Sequence, residues 1–337
     1  MEKVKITIPN KFSFTDYGTH TFNHILSIFD WSLKDMTVTI DFSCCFKANY
    51  QALSILTLYI WHLRTNDCYI NFQFSDKMHG ASQMWNFMGA KGWHHVLINE
   101  SKNFYGNVYK PLIAIRNSKD FTLALSKTES YTKKIHVEFK KTLRYVISEL
   151  LYNTLEHGKK IIHKNSKTTK IPSIIQLTWY KNKKQLQLIV ADTGIGIKKH
   201  MERNYPPFES DEDAILHSLK HQASGTFGKN DPYKSKDNVG VGLSMSSNIV
   251  QKLNGDMHIV SQNGLVHVSP TDKTTKSLTS TWPGTLVLVS LNLGQNLDIT
   301  LHKLIPEIQP IELRKIGVIS SRSTTKAGRS TMGQSAG

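Results

Sequence analysis

Hydrophobic and polar positions alternate in two ways along the first 95 residues. Period-two alternation and short β-branched runs predict strands at residues 4–8, 36–42 and 68–74. Apolar positions spaced by three and four predict helices at residues 19–33, 50–64 and 81–88. Because helices of about 10–15 residues separate the strands, the pattern favours parallel βαβ units and hence an α/β fold.

The most regular helical pattern covers residues 138–157. Its core-facing positions recur at steps of three and four and are Phe139, Leu143, Val146, Ile147, Leu150 and Thr154. Successive helical residues turn by about 100°, so Glu149, Asn153 and His157 advance by only about 40° each and form one polar line beside that face. Such a line fits groups that converge on a cleft; a solvated helix face is the alternative.

A carboxylate and two glycines follow a predicted strand in the second half of the chain. Residues 173–180 and 185–191 have strand patterns, and the second run ends in Asp192-Thr-Gly194-Ile-Gly196. The glycines let the backbone pass close to a ligand to which the Asp can hydrogen-bond. A plain strand-ending turn is the alternative.

A second glycine pair opens a predicted helix. Gly240-Val-Gly242-Leu243 precedes a helical run that ends near residue 253, and further strands are predicted at 257–261, 265–268 and 285–293. Backbone N–H groups at a helix entrance stabilise phosphate. The spacing matches neither the dinucleotide-binding fingerprint nor the P-loop motif.

These segments, in this order, resemble the motifs of the GHKL superfamily of ATPases, which includes gyrase, heat-shock chaperone, histidine-kinase and mismatch-repair ATPases. The N box is matched by ELLYNTLEHG at 149–158, the first glycine box by residues 192–196, the second by residues 240–243, and the closing element by Gly284-Thr285. The resemblance implies an α/β sandwich in which helices cover one face of a mixed sheet. Residues 198–238 would form a lid over ATP, in which Lys229, Lys234 or Lys236 would approach the γ-phosphate or be solvated.

The resemblance also implies a role for each matching residue. It makes Glu149 the general base and Asn153 the ligand of the Mg²⁺ that bridges the ATP phosphates. Asp192 would accept from the adenine amino group, and Thr285 would support it through its hydroxyl or a water. The remaining positions would contact the base, ribose or phosphates: Gly194, Gly196, Gly240, Gly242, Leu243 and His157, the last of which is alternatively a packed N-box histidine.

Residues 38–74 resemble the STAS domain, a small α/β module related to anti-sigma-factor antagonists. The likeness rests on a strand ending in Asp41, a short loop and an apolar helix. In antagonists a Ser or Thr at the start of that helix is phosphorylated; here Ser43 is the candidate, and an unmodified docking scaffold is the alternative. The predicted division of the chain is a STAS-like domain (1–95), a connector with one strand at 112–115 (96–132), the ATP-binding domain (133–295), an extension (296–319) and a disordered tail (320–337).

Composition narrows the classes of function. The 337 residues, 39% of them hydrophobic, suit two domains and exclude a wholly disordered chain. With 42 Lys and Arg against 26 Asp and Glu, the net charge of +16 attracts phosphates, nucleic acid or acidic proteins. No run of about 18 apolar residues and no signal peptide is evident, so we expect a cytoplasmic protein without a membrane partner. Three cysteines predict neither a disulfide framework nor a zinc site.

The N-box wording is closest to anti-sigma-type serine kinases. Together with the STAS resemblance, it predicts Mg²⁺-dependent phosphorylation of a Ser or Thr on a regulatory partner protein. Three alternatives remain open: a non-catalytic switch driven by ATP, a histidine kinase with His136 as acceptor, and a nucleic-acid-associated ATPase. Assembly as a homodimer is also open.

Overall fold

A computed structural model describes residues 2–16, 19–77, 79–98, 104, 106–107, 110–132, 137–157, 160–164, 167–220, 223 and 242–292. The predicted features outside these residues are His136, Gly240, the three lid lysines Lys229, Lys234 and Lys236, the extension 296–319 and the tail 320–337. No helix in the described part of the chain is long and apolar enough to span a bilayer.

The N-terminal part is built on a parallel sheet of three strands in the order β1-β5-β7. Its elements are β1 (Lys3–Thr7), β2 (Lys11–Phe12), β3 (Thr15–Asp16), β4 (Thr19–His20), α1 (Asn23–Leu26), β5 (Thr37–Asp41), β6 (Lys47–Ala48), α2 (Tyr50–Thr65), β7 (Tyr69–Gln73), α3 (Gly80–Phe87) and α4 (His95–Ile98). The parallel βαβ prediction is therefore confirmed, whereas the STAS resemblance stays a prediction.

The helix predicted at residues 19–33 is wrong, because only α1 is helical within that range. Its apolar residues are nevertheless buried: Phe22, Ile25, Leu26 and Phe29. The main chain turns at Asp30, whose Oδ1 accepts from the backbone N–H of Ser32 at 2.9 Å and from its hydroxyl at 2.6 Å. The apolar spacing identified the buried residues correctly, but a short helix and a turn bury them.

Helix α2 is buried along almost its whole length. Every side chain from Gln51 to Leu63 is buried, including the polar ones. The Asn49 side chain caps the helix by accepting from Ala52 N at 2.9 Å. A helix that is buried on all sides needs neighbours on all sides. Helix α2 has them because it packs on β7 and also on two strands of the second sheet, β12 (Ser173–Tyr180) and β13 (Gln185–Ala191).

The second sheet has six strands in the order β14-β15-β13-β12-β9-β8. The elements of this part are β8 (Gly106–Asn107), β9 (Lys110–Ile115), α5 (Ser118–Tyr131), α6 (Val137–His157), β10 (Lys160–Lys164), β11 (Lys167–Ile171), β12 (Ser173–Tyr180), β13 (Gln185–Ala191), α7 (Ile197–Met201), α8 (Asp211–Ser218), α9 (Gly242–Lys252), β14 (Asp256–Val268) and β15 (Lys273–Asn292). Strands β10 and β11 form a separate hairpin.

The prediction of a mixed sheet is wrong for the described strands, since each neighbouring pair in the six-stranded sheet is antiparallel. The cause is the place of β15. This strand is the hairpin partner of β14 and lies between β13 and β14. Strands β13 and β14 run parallel to each other but do not touch, so their connection through α9 yields no parallel neighbours.

Alternate residues along the central strands of this sheet lie in two different hydrophobic cores, one on each face of the sheet. Leu188 and Val190 of β13 pack with α5, α6 and α9, as the prediction of helices on one face requires. Ile189 and Ala191 face the N-terminal part, whose helix α2 covers the opposite face. The prediction that helices cover only one face is therefore incomplete, because the second cover comes from a distant part of the sequence.

The segment predicted to be a connector belongs to this second layer. Strand β9 contains the predicted strand 112–115 and pairs antiparallel with β12, and α5 packs on α6. The start of α5 is fixed locally, because Asn117 caps it and Arg116 forms an ion pair with the buried Asp120 at 2.8 Å. The segment therefore packs on the part of the chain that follows it, and the predicted division of the chain stays a prediction.

Candidate functional site

Asp192 is the first residue after the paired part of β13, and it is buried with 4% of its surface exposed. Its backbone N–H donates to the Thr285 carbonyl at 2.9 Å. Its carboxylate oxygen Oδ1 accepts from the N–H of Gly194 at 2.8 Å and from the N–H of Thr285 at 3.3 Å. Among the described residues no donor contacts Oδ2, so this oxygen is left to accept from a ligand.

Burial changes the acidity of this carboxylate. Loss of hydration raises the pKa of Asp192 to about 6, against the opposing effect of the two N–H donors at Gly194 and Thr285. The group is therefore mostly ionised at neutral pH and is an acceptor rather than a donor.

Two glycines allow the backbone segments around Asp192 to approach each other. A Cβ on Gly284 would overlap the carbonyl oxygen and Oδ1 of Asp192, so a larger residue cannot replace it without displacing that carboxylate. Gly196 has φ of +78°, in the region that favours glycine, and a Cβ there would lie 2.9 Å from Ser261 Oγ. These glycines hold the loop after β13 against the turn that precedes Thr285.

Glu149 contacts the start of helix α9. A Cβ on Gly242, the first residue of α9, would lie only 2.6 Å from Glu149 Oε2, so the absence of a side chain at Gly242 makes room for the carboxylate. Burial raises the pKa of Glu149 to about 7. The same burial, with the nearby Glu149 charge, also raises the pKa of Tyr145. A carboxyl group of this pKa exchanges a proton readily near neutral pH.

Residues 139–295 match the model of the family described as histidine kinase-, DNA gyrase B-, and HSP90-like ATPase. Residues 139–295 form a GHKL-type ATPase domain. The match implies ATP binding, which in this family usually involves Mg²⁺. No curated protein matches the chain.

Helix α6 of the GHKL-type domain carries the predicted polar line. All six predicted core positions of this helix are buried, at 5% exposure or less. Asn153 is half-buried one turn beyond Glu149. His157 ends the helix, and its side chain lies outside the described residues. Leu243 is half-buried at the start of α9 and packs on the core between helices and sheet. Helix α6 packs on α9 as well as on β12 and β13, and Glu149 is the residue of the polar line that reaches the start of α9.

The structure adds Ser261 to the GHKL-type domain's candidate site. Its hydroxyl oxygen accepts from Ile197 N at 2.9 Å and its hydroxyl donates to the Gly284 carbonyl at 2.9 Å, which joins the loop after β13 to the closing element. A lone serine within a strand pattern carries no signal of this role in the sequence.

Trp282 is the second residue that the sequence did not indicate. It is fully buried, and its indole Nε1 donates to the backbone carbonyl of Asp192 at 2.8 Å. The signal available in the sequence was its position two residues before Gly284-Thr285, which does not by itself distinguish a core tryptophan from one that supports a site.

Proposed function

We propose that this protein binds ATP in its GHKL-type domain and transfers the γ-phosphate to a Ser or Thr hydroxyl of a partner protein. The observation that carries the catalytic part is the contact between Glu149 and Gly242. It brings a carboxyl group with a pKa of about 7 to the entrance of α9, where backbone N–H groups stabilise phosphate. A protein that only bound ATP would have no need of a proton acceptor there.

Asp192 supplies the recognition of adenine in this proposal. Gly194 and Thr285 direct N–H groups at Oδ1, and Oδ2 is the atom that accepts from the exocyclic amino group of the base. Because the carboxylate is buried, an incoming base that lacks a donor at this position would leave a charge without a partner, and this penalty gives selectivity.

The residues fit a magnesium ion held mainly by the nucleotide. Among the described residues no cluster of three or more His, Cys, Asp and Glu side chains could hold a metal ion by itself. The half-buried carboxamide of Asn153 offers one hard oxygen ligand, and Mg²⁺ commonly takes one or two protein oxygens together with phosphates and waters. When bound there, the ion would neutralise charge on the phosphates.

The transfer step needs one proton acceptor and one leaving group. Glu149 takes the proton of the substrate hydroxyl, and the freed oxygen forms a bond to the γ-phosphorus. The bond from that phosphorus to the β–γ bridging oxygen breaks, and ADP leaves with the electron pair. The chain's own contribution is to position Glu149 and to surround the phosphates with N–H donors from α9.

Incubation with γ-labelled ATP and Mg²⁺, with and without a cytosolic extract, tests this function. We expect transfer to a protein acceptor, with a label that is stable in acid as phosphoserine and phosphothreonine are. E149Q should bind ATP normally and lower transfer by about 100-fold or more, whereas E129Q, which changes an exposed glutamate on α5, should match the wild type.

Other outcomes would contradict the proposal in distinct ways. ATP binding without transfer to protein would favour the non-catalytic switch. An acid-labile label on the protein itself would favour a histidine kinase. Absence of ATP binding by the wild type would reject the nucleotide site altogether.

A further inference from the structure

We propose that Trp282 is a positioning residue through which the N-terminal part of the chain sets the affinity and base selectivity of the ATP site. The proposal rests on the adenine-binding role of Asp192 proposed above. It adds a regulatory route that begins at Trp31, outside residues 139–295, and ends at the backbone of Asp192.

Trp282 holds the main chain at the point where the predicted adenine acceptor leaves the sheet. Its Nε1 donates to the Asp192 carbonyl at 2.8 Å, while Thr285 pairs with the same residue through both of its backbone groups. Asp192 is thus held from one segment of β15 at both its carbonyl and its carboxylate. A movement of Trp282 therefore moves the backbone that carries the carboxylate.

An irregularity in the β14–β15 hairpin aims Trp282 at this carbonyl. Ser261 pairs with Thr285, but the next residue, Gln262, pairs with Trp282, so two extra residues bulge from β15. The bulge is tied down because Gln262 Nε2 donates to the Pro283 carbonyl at 2.8 Å. A regular hairpin would continue the alternation of side chains and would not bring Trp282 and Gly284 together at Asp192.

The Trp282 ring also contacts aromatic rings of the N-terminal part. Trp31 packs edge-on against it with ring centroids 5.1 Å apart, and Phe29 does so at 6.0 Å. The Trp31 indole also donates to the Thr281 carbonyl at 3.2 Å. The segment that carries these two rings is fixed to α2, because the Tyr59 hydroxyl donates to the Asp30 carbonyl at 2.8 Å.

These contacts form a continuous packed route from α2 to the candidate adenine site. Phe29 and Trp282 are buried and Trp31 is half-buried, so a displacement of one ring is passed to its neighbours, since interiors are packed without free space. A partner or modification that displaced residues 29–31 would shift Trp282 and weaken adenine binding. Coupling is reciprocal, so bound ATP must stabilise the same interdomain contact.

The test compares W282F with W61F in the full chain. Both tryptophans are fully buried, and both donate to a backbone carbonyl, Trp61 to that of Trp93 at 2.9 Å. The two substitutions therefore remove the same atoms, but only W282F affects Asp192. The measured quantities are the dissociation constants for ATP and for inosine triphosphate, which carries an oxygen in place of the adenine amino group.

We expect W282F to weaken ATP binding by about 3- to 10-fold, the effect of one neutral hydrogen bond, and to lower the preference for ATP over inosine triphosphate. W61F should leave that preference unchanged even where it lowers thermal stability. An unchanged preference in W282F would overturn the inference. Failure of the wild type to bind either nucleotide would instead reject the proposed function.

A second variant decides the question where W282F does not fold. W31L removes the ring against Trp282 but leaves the donor to Asp192 in place, so a smaller loss of preference in the same direction is expected. Hydrogen exchange gives an independent measurement, in which ATP should increase the protection of amides in residues 25–32 of the wild type. Protection confined to residues 139–295, with an unchanged preference in W31L, would show that the N-terminal part is not coupled.

Discussion

The carboxylate of Glu149 lies where a side chain on Gly242 would have to be, 2.6 Å from the ideal Cβ position. Helix α6 and the entrance of α9 are therefore matched to each other: the first brings the carboxylate, and the second leaves the space. The contact depends on both residues, although 93 positions separate them in the chain.

Substitution of Gly242 tests this match. We expect G242A to fold, because its Cβ meets the end of a flexible side chain, but to displace Glu149 and reduce phosphoryl transfer by about 10-fold or more. Transfer and unfolding are measured on the same preparations. G92A is the matched control, since a Cβ there makes only ordinary contact with the Phe104 ring. Wild-type transfer by G242A would show that the contact has no catalytic importance.

Substitution of Asp192 tests the adenine acceptor. D192N keeps an oxygen for Gly194 and Thr285 but turns an NH₂ group toward the base, so ATP affinity should fall by about 30-fold or more. The pH dependence should change as well. Wild-type binding should weaken as pH falls through about 6, where Asp192 becomes protonated, and D192N should lack this component. Retained micromolar binding by D192N would count against the assignment.

The pH profile of transfer tests the role of Glu149 as a base. Its folded-state pKa of about 7, raised by burial, means that the carboxylate form increases as pH rises through 7. We expect the transfer rate at saturating ATP to rise about 10-fold from pH 6 to pH 8 and then to level off. E149Q should show a low rate without this rise. A flat wild-type profile would assign proton transfer to another group.

Three histidines whose rings contact one another, His20 of β4 with His258 and His267 of β14, predict how pH changes the stability of the protein. His258 of β14 lies between His20 and His267, with ring centroids 4.2 and 4.1 Å away. Burial, and then the two neighbouring histidines, lower the pKa of His258 to about 2, so it is neutral when folded and protonates at about 6.5 when unfolded. Its contribution is therefore complete above pH 6.5 and is lost as pH falls below that value.

The comparison with H258F isolates this effect from other titrating groups. Between pH 7.5 and 5.5 the wild type should lose about 1.4 kcal/mol of unfolding free energy relative to H258F. Urea unfolding of both proteins at the two pH values measures the difference. An equal loss in both would mean that His258 takes up a proton without unfolding.

The uneven charge of the chain gives a test of nucleic-acid binding. Between residues 96 and 184 lie 18 of the 42 Lys and Arg but only 6 of the 26 Asp and Glu. If nucleic acid is a partner, its affinity should fall steeply with salt, by about one logarithmic slope unit for each phosphate contacted. We expect only weak binding of a DNA duplex at 150 mM salt, and tight binding there would favour the nucleic-acid alternative over the kinase.

Elements governed by local periodicity could be predicted from the sequence. The buried face of α6 follows from spacing alone, and so do strands β12 and β13, because each pattern describes neighbours within a single element. Asp192 with Gly194 and Gly196 was recognisable because a carboxylate and nearby glycines lie within five residues. The resemblance predicted support of Asp192 by the Thr285 hydroxyl or a water, whereas the structure shows contacts through the backbone N–H and carbonyl of Thr285.

Features that depend on contacts between distant segments could not be predicted. The position of β15 between β13 and β14 depends on hairpin pairing, which the hydrophobic pattern of one strand does not specify. A tryptophan in a strand pattern predicts a core residue and no more. The contacts of Trp282 could not be predicted, because its partners Trp31 and Asp192 lie about 250 and 90 positions away in the chain. The pattern predicts a longer helix than α1, because the turn that follows α1 also buries apolar residues and these happen to have helical spacing.

Because α2 is buried between two sheets, we expect that the chain cannot be cut into two fragments that each fold. A cut after residue 95 would expose Ile174, Ile189 and Trp282 to water, and would uncover the side of α2 that packs on β12 and β13. Neither fragment would be a self-sufficient globule. Heat should therefore unfold the intact protein in one cooperative step, in which the GHKL-type domain and the N-terminal sheet unfold together.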